Sequence, residues 1–300
     1  MVMDGGWECY PVRFDEDLAA AEQVLAGKHL VLIGDSLTRY QYTSLVYFLE
    51  NGHFMSPPPD NAWKAEFESW NDYFRITNER LHGNEVCDCY RPSEQIDGSY
   101  ENRYYYNPAT DVRISYLQWR GARGIYLHDQ ILDAVVDGDM ARAGSYCRAG
   151  ECGADVPGLD PVRFTSANDF VRDGAPRLRP HFLVLNCGHW AGCGTRAEFN
   201  ALADSARDAV VKGGGHERNV IWKMTTTSAT RGIAGHKHCG PFVARGARVS
   251  PDDRVSEGFR VLVGAPGSGV TLGDVFEDTI HFHAEVYAEL NNILLNVLAT

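Results

Sequence analysis

The 300 residues include 28 Lys and Arg against 40 Asp and Glu, and the resulting formal net charge of -12 repels phosphate backbones and anionic lipids, so no nucleic-acid partner is expected. Hydrophobic residues make up 44% of the chain, enough for a substantial core, yet no stretch reaches the roughly 20 consecutive apolar residues of a membrane span. No internal repeat, low-complexity tract or linker divides the sequence, which predicts a single domain over residues 1–300.

The first half of the chain opens with a strand, a tight turn and a helix. An apolar run at 29–33 ends in Gly34, and helical periodicity follows over 37–51. Residues 52–101 are rich in Pro, Asn, Asp and aromatic side chains with weak periodicity, so they predict long loops or an inserted minor lobe. The pattern then predicts strands at 102–106 and 112–118, a helix at 125–136 and a second loop-rich insertion at 137–161.

The second half alternates between apolar runs and helical periodicity. It predicts strands at 182–185 and 219–224 and helices at 196–211 and 284–298. Such alternation indicates an α/β fold with a mainly parallel sheet covered on both faces. Ligands of such sheets bind beyond the carboxyl ends of the strands.

The segment IGDSLTR places Ser36 at one of these strand ends, where the first helix begins. A hydroxyl there faces a cleft, and the helix amides carry the positive end of the helix dipole, which stabilises a developing oxyanion. The alternative is a helix cap, because Asp35 and Ser36 are preferred capping residues and need no other role.

A serine hydroxyl needs a base to act as a nucleophile. The candidate is His281 in EDTIHFH, with Asp278 three residues earlier, so that the carboxylate can fix the imidazole tautomer. The chain order of Ser36, Asp278 and His281 is compatible with a catalytic triad. The alternative is a surface turn with a solvated histidine. His283 is a competing base, but its longer spacing from Asp278 favours His281.

A third segment, LVLNCGHW, also runs from a strand into a turn. Asn186 at its strand end could donate its side-chain amide to an oxyanion, or it could simply make the turn. Trp190 could stack on a sugar ring or pack in the core.

Eight cysteines in mostly polar or Gly-rich sequence favour disulfides. The alternative is reduced thiols or zinc, since CDC at 87–89 and HKHC at 236–239 contain ligand-type residues, but neither has the paired C-x-x-C spacing of structural zinc sites. Disulfides require an oxidising compartment, yet no signal peptide is visible, so we expect a mature or trimmed form of a longer chain. The cysteines stand at positions 9, 87, 89, 147, 152, 187, 193 and 239.

Taken together, these segments resemble the GDSL, or SGNH, hydrolase superfamily, and more narrowly its PC-esterase and trichome birefringence-like branch. IGDSLTRYQYTSLVYFL is similar to the first block of that branch, the preceding WECYPVRFDEDLAAAEQVLAGKHLVL to its entry, LVLNCGHW to its N-x-G-H-W segment and EDTIHF to its closing D-x-x-H. The joint occurrence, in the expected order, is far more specific than any single motif. The resemblance implies a flavodoxin-like three-layer sandwich, a Ser-His-Asp triad and no metal.

Carried over by position, the resemblance gives Ser36 as nucleophile, His281 as base and Asp278 as the residue that orients it. It gives Asn186 as an oxyanion donor. Arg39, His189 and Trp190 are expected to support the site or to contact the substrate. Gly34, Asp35 and Gly188 are the structural positions of the motifs.

The resemblance implies a polysaccharide O-acetyltransferase that works through an acetyl-serine intermediate in the Golgi lumen or outside the cell. Its partners would be a carbohydrate acceptor or an acetylated polysaccharide, with an acetyl donor such as acetyl-CoA as co-substrate and no bound cofactor. The alternatives are a carbohydrate O-acetyl esterase, with water as acceptor, and a non-catalytic carbohydrate-binding protein. The aromatic residues of the first insertion are expected to form the acceptor platform, namely Trp63, Trp70, Tyr73 and Phe74.

Overall fold

A seven-stranded sheet forms the centre of the fold. The computed structural model describes residues 12–14, 17–55, 69–91, 99–148, 151–152, 161–186, 196–223, 242–244 and 281–299. The strands of this sheet and of two small two-stranded sheets, β5-β8 and β6-β7, are β1 (His29–Gly34), β2 (Glu85–Tyr90), β3 (Tyr100–Asn107), β4 (Val112–Gln118), β5 (Ile125–Leu127), β6 (Cys147–Arg148), β7 (Glu151–Cys152), β8 (Val162–Phe164), β9 (Phe182–Leu185), β10 (Val220–Lys223) and β11 (Phe242–Ala244).

Seven main helices are present in the described part of the chain. They are α1 (Leu18–Leu25), α2 (Ser36–Asn51), α3 (Trp70–Glu79), α4 (Asp129–Val136), α5 (Met140–Ser145), α6 (Arg196–Lys212) and α7 (Ala284–Ala299). Three short helical turns, Ala167–Asp169, Phe170–Gly174 and Ala175–Leu178, lie between β8 and β9.

The sheet has the strand order β11-β10-β9-β1-β4-β3-β2. The four central strands β10, β9, β1 and β4 are parallel, whereas β11 and β3 pair antiparallel with their neighbours. Leu30 of β1 lies between Ile114 of β4 and Phe182 of β9. Because later strands are added on both sides of β1, the crevice beyond its carboxyl end is the expected ligand site of this topology.

Helices cover both faces of the sheet, because successive side chains of a strand point in opposite directions. Leu30 and Leu32 of β1 pack with α1, α2 and α7 on one face. Val31 and Ile33 pack with α4, α6 and the short helical turns on the other. The predicted α/β fold with a mainly parallel sheet is therefore confirmed, and its layers are those of a three-layer sandwich.

The prediction of loops over 52–101 is wrong for much of the described part of that range. Residues 70–79 form α3, and β2 is an edge strand of the central sheet rather than part of a separate lobe. The sequence did not predict β2 because the strand contains Glu85 and Asp88. Charged residues are normally expected at the surface, but these two are buried. They are tolerated because each has a buried partner, Arg103 for Glu85 and His128 for Asp88.

The predicted helix at 125–136 is also wrong at its start. Ile125, Tyr126 and Leu127 form β5 and pair antiparallel with β8, so the helix begins only at Asp129. In the second predicted insertion, 137–161, the described residues include α5 and the β6–β7 hairpin. Short apolar runs do not separate strand from helix, and here tertiary pairing decides.

Four of the cysteines lie in pairs on strands. Cys87 and Cys89 project from the same face of β2 with their Cα atoms 5.2 Å apart and their sulfur atoms in contact. Cys147 lies opposite Cys152 in the β6–β7 hairpin. Disulfide bonding in an oxidising compartment stays a prediction. The other four, at positions 9, 187, 193 and 239, lie outside the described residues.

The buried imidazole of His29 links β1 to two other parts of the fold. Its Nδ1 donates to the carbonyl oxygen of Leu178 at 2.6 Å, so that Nε2 accepts from the Ser115 hydroxyl at 2.8 Å. Protonation of Nε2 would end its acceptor role, so the Ser115 hydroxyl would have to turn and accept instead. Burial lowers the pKa of His29 to about 4, and the neutral form is the one that fits.

We therefore predict that His29 makes the fold acid-sensitive. Because its folded pKa lies below the ordinary value of 6.5, the unfolded chain takes up the proton first, and stability present above pH 6.5 is lost as the pH falls toward 4. This loss is at most about 3 kcal/mol. Urea unfolding of His29→Gln should show a smaller loss between pH 7 and 4.5 than the wild type, whereas the exposed His53→Gln should match the wild type. Equal losses in all three would contradict the prediction.

Candidate active site

Ser36 lies where β1 ends and α2 begins. Asp35 caps the helix, its carboxylate accepting from the amide of Leu37 at 3.1 Å, which is the capping role considered from the sequence. Ser36 is therefore free of that role and is half-buried. Gly34 makes the turn possible, because a Cβ at this position would lie 2.3 Å from the Thr38 hydroxyl.

His281 reaches Ser36 from the opposite end of the chain. Its Nε2 lies 2.8 Å from the Ser36 hydroxyl oxygen, although 245 positions separate the two residues. This is the geometry in which a histidine accepts the proton of an attacking serine. The structure thus brings the predicted nucleophile and base together, with His281 rather than His283 in the contact.

Two tyrosines hold the segment that carries His281. The ring of Tyr40 meets the imidazole edge to face, with centroids 5.1 Å apart. Tyr40 also packs on Tyr287 at 5.6 Å, and the Tyr287 hydroxyl accepts from the backbone amide of Phe282 at 3.3 Å. The backbone next to His281 is therefore tied to α7, and the imidazole is tied to α2.

Asn186 lies beside the Ser36 turn, at the carboxyl end of β9. Its backbone amide donates to Ile33 of β1 at 2.8 Å, and its side-chain Nδ2 donates to the carbonyl of Lys223 at 2.8 Å. Its Oδ1 accepts from the Thr38 hydroxyl at 3.5 Å. Because Nδ2 carries two hydrogens, it has one more to donate besides the bond to Lys223. The role of Asn186 as an oxyanion donor stays a prediction.

Lys223 lies behind the nucleophile turn, a position that the sequence did not single out. It ends β10, is 1% exposed, and directs Nζ to the Thr38 hydroxyl at 3.5 Å. Burial lowers the pKa of Lys223 to about 8, with Asp35 acting in the opposite direction. The sequence does contain a signal for Lys223, because a charged residue ends the apolar strand sequence VIWK.

Arg39, one turn along α2 from Ser36, belongs to a buried ion-pair network. It pairs with Glu101 at 2.9 Å, and Glu101 also accepts from Arg103 at 2.7 Å. Arg103 in turn pairs with Glu85 at 2.8 Å. Burial raises the pKa of Glu101, but Arg39 and Arg103 outweigh it and hold the pKa below its usual value. Of the two roles considered for Arg39, these contacts favour support.

A buried histidine and carboxylate pair, His128 and Asp88, joins β2 to the segment after β5. His128 Nδ1 and Asp88 Oδ1 are 2.7 Å apart, and Asp88 also accepts from the backbone amide of His128 at 3.0 Å. Both side chains are wholly buried. Because a substrate cannot reach it, this pair serves to fasten β2 to the segment after β5.

Several predicted site residues lie outside the part of the chain that the structure describes. They are Asp278, Gly188, His189 and Trp190. The HKHC segment is also outside it. Among the described residues, no group of three or more His, Cys, Asp or Glu side chains could hold a metal ion, and no helix is long and apolar enough to cross a membrane.

No family model, curated protein or solved structure matches this chain. The resemblance to the PC-esterase and trichome birefringence-like branch therefore rests on the motifs alone. The geometry of the site stands independently of it.

The buried Lys223 supports a prediction about stability. Its folded pKa of about 8 lies below the ordinary value of 10.5, so the folded state is penalised below pH 8, and the penalty fades as the pH rises toward 10.5. Lys223→Met should therefore stabilise the protein at pH 7, by at most about 3 kcal/mol, and by about 2 kcal/mol less at pH 10.

Denaturant unfolding at the two pH values measures this difference. Lys212→Met, at an exposed position on α6, is the matched control and should change stability by less than about 0.5 kcal/mol. A Lys223→Met effect that is the same at both pH values would show that Lys223 is not penalised by burial.

Proposed function

We propose that the protein is a serine-dependent acyl-transfer enzyme that moves acetyl groups onto carbohydrate hydroxyls, a polysaccharide O-acetyltransferase of the SGNH type. The observation that carries the proposal is the 2.8 Å contact between the Ser36 hydroxyl and His281 Nε2 at the carboxyl edge of a parallel sheet. A hydroxyl in this contact can lose its proton as it attacks, which an isolated serine cannot do at neutral pH.

In the first half-reaction, Ser36 Oγ attacks the carbonyl carbon of the acetyl donor while His281 accepts the hydroxyl proton. The tetrahedral oxyanion forms at the start of α2, where the helix dipole is positive, and Asn186 is the proposed side-chain donor to it. His281 then returns the proton to the leaving group, and acetyl-Ser36 remains. Asp278 is the proposed carboxylate that orients the imidazole.

In the second half-reaction, His281 accepts the proton of a sugar hydroxyl as its oxygen attacks the carbonyl carbon of acetyl-Ser36. The bond between Ser36 Oγ and the acyl carbon then breaks, His281 returns the proton to Ser36 Oγ, and the acetylated sugar leaves. Acetyl-CoA is one donor that suits this sequence of steps, and no bound cofactor takes part. Water in place of the sugar makes the same enzyme a carbohydrate O-acetyl esterase. Both activities need the pair Ser36 and His281, whereas a carbohydrate-binding protein has no use for their contact.

The proposal extends to the secretory pathway, as a Golgi or secreted enzyme. Its support is the cysteine content together with the placement of two cysteine pairs, one at alternate positions of β2 and one at paired positions of the β6–β7 hairpin.

We predict that Ser36→Ala lowers kcat for an acetyl ester by at least about 10³-fold while the unfolding free energy changes by about 1 kcal/mol or less. The substitution removes one oxygen from a half-buried position and leaves the Asp35 cap in place. Steady-state kinetics and denaturant unfolding measure the two effects. Ser145→Ala, on α5, is the matched control and should keep wild-type kcat. Full activity in Ser36→Ala would refute the nucleophile.

A second prediction separates transfer from hydrolysis. A sugar hydroxyl held in the right orientation reaches a high effective molarity and competes with water for acetyl-Ser36. Adding an oligosaccharide acceptor should therefore divert acetyl from water to the sugar. Trp70→Ala should lower the ratio of transfer to hydrolysis, since Trp70 is the partly exposed member of the predicted acceptor platform. Tyr73 and Phe74 are buried, so their predicted place on that platform is wrong, and Trp63 lies outside the described residues. Mass spectrometry of the products measures the ratio.

If no glycan in a broad panel accepts acetyl while acetylated glycans are readily deacetylated, the esterase is the correct function.

A further inference from the structure

A strip of half-buried side chains extends from the catalytic pair across the carboxyl edge of the sheet. It begins at Ser36 and His281 and continues through Tyr40 and Trp70 to Arg91. We call the last three residues the Tyr40–Arg91 strip. Each is partly exposed, so a bound molecule can touch it.

Buried Arg39 connects the strip to the catalytic pair. Its guanidinium carbon lies 4.6 Å from the centroid of the Tyr40 ring and 5.7 Å from that of the Trp70 ring. Tyr40 in turn contacts the imidazole of His281. Because Arg39 is fixed by its ion pair with Glu101, the strip has a rigid base.

Arg91 lies at the far end of the strip, stacked on Trp70 with its guanidinium carbon 3.6 Å from the ring centroid. Stacking of this kind fixes the plane of the guanidinium and the direction of its N–H groups. Its Nε is buried and has no hydrogen-bond partner. Among the described residues, no carboxylate forms an ion pair with Arg91.

The surroundings of Arg91 are cationic, which is unusual in a chain with a net charge of -12. Burial, and then the neighbouring charges of Arg120 and Arg39, lower the pKa of Arg91 to about 10. Glu101 opposes this shift, but its oxygens already accept from Arg39 and Arg103. An anion placed against the exposed part of the Arg91 guanidinium would relieve this repulsion.

We infer that the Tyr40–Arg91 strip binds the anionic group of an acidic sugar, a carboxylate or a sulfate ester, so that the carbohydrate substrate is an acidic one. The inference rests on the proposed function and names its substrate class. A planar guanidinium presents paired N–H donors that match either anion, and a neutral sugar would leave this charge uncompensated. The partly exposed Trp70 provides apolar surface beside the anion site.

Binding to Ser36→Ala protein, measured by calorimetry, tests the inference without requiring turnover. The probes are an oligogalacturonide, a sulfated oligosaccharide and a neutral xylo-oligosaccharide of equal length. We expect at least one acidic probe to bind about tenfold or more tightly than the neutral one, and to lose affinity as salt is raised.

Variants in the same background assign the effect to Arg91. Arg91→Gln should weaken binding of the acidic probe by about tenfold or more, and Arg91→Lys should recover part of that loss because the charge is kept. Arg172→Gln is the matched control, since this exposed arginine pairs only with nearby aspartates, and it should bind like the parent. If Arg91→Gln does not fold, the affinity of Arg91→Lys for the acidic probe and the salt dependence of that affinity test the role of Arg91 instead.

Equal affinity for acidic and neutral probes would overturn the inference, as would an acidic preference that survives in Arg91→Gln. Coenzyme A is a further probe, because its phosphates are also anions; Arg91-dependent binding of coenzyme A alone would assign the strip to the donor and overturn the acidic-sugar inference. Arg91-dependent binding of an acidic sugar by a protein whose Ser36 is never acylated would refute the proposed function and leave this inference standing.

Discussion

The packing of α2 against α7 is the constraint on which the site depends, because it joins two residues from opposite ends of the chain. Ser36 begins α2, and His281 lies three residues before α7. Asn291 fixes the register of the helices by donating its side-chain amide to the Gln41 carbonyl at 3.1 Å, and both residues are fully buried. A slip of one helical turn, about 5.4 Å, would break a 2.8 Å contact between hydroxyl and imidazole.

The edge of the sheet next to this contact is rich in buried charge, which a fold selected for stability alone would not keep. Lys223, Arg39 and Arg103 are all nearly inaccessible, and burying charged groups costs free energy even when they are paired. Arg39 and Arg103 are paired with Glu101 and Glu85, so their charges are largely compensated, whereas Lys223 and Arg91 form no ion pair within the described part of the chain. These two cations are the ones that would favour the proposed oxyanion and anionic substrate.

The apolar strands and the long helices could be predicted from the sequence because their periodicity is local. The strand predicted at 182–185 matches β9, and the helix at 284–298 differs from α7 by one residue. The motif order also placed Ser36 and His281 in one site before any geometry was known. The strand β2 could not be predicted, since Glu85 and Asp88 are buried only through partners distant in sequence. The sequence did not single out Lys223 and Arg91 for a related reason, because the surroundings of both side chains are formed by residues distant in sequence.

The central claim is that His281 activates Ser36, and labelling with a fluorophosphonate tests it most directly, because such probes react with base-activated serines and not with ordinary hydroxyls. The modified residue is located by peptide mass spectrometry in the wild type and in His281→Ala. The account predicts one label, on Ser36, that forms at least about 10³-fold more slowly in His281→Ala. Absence of label on Ser36 in folded wild-type protein, or labelling at the same rate without His281, would contradict it.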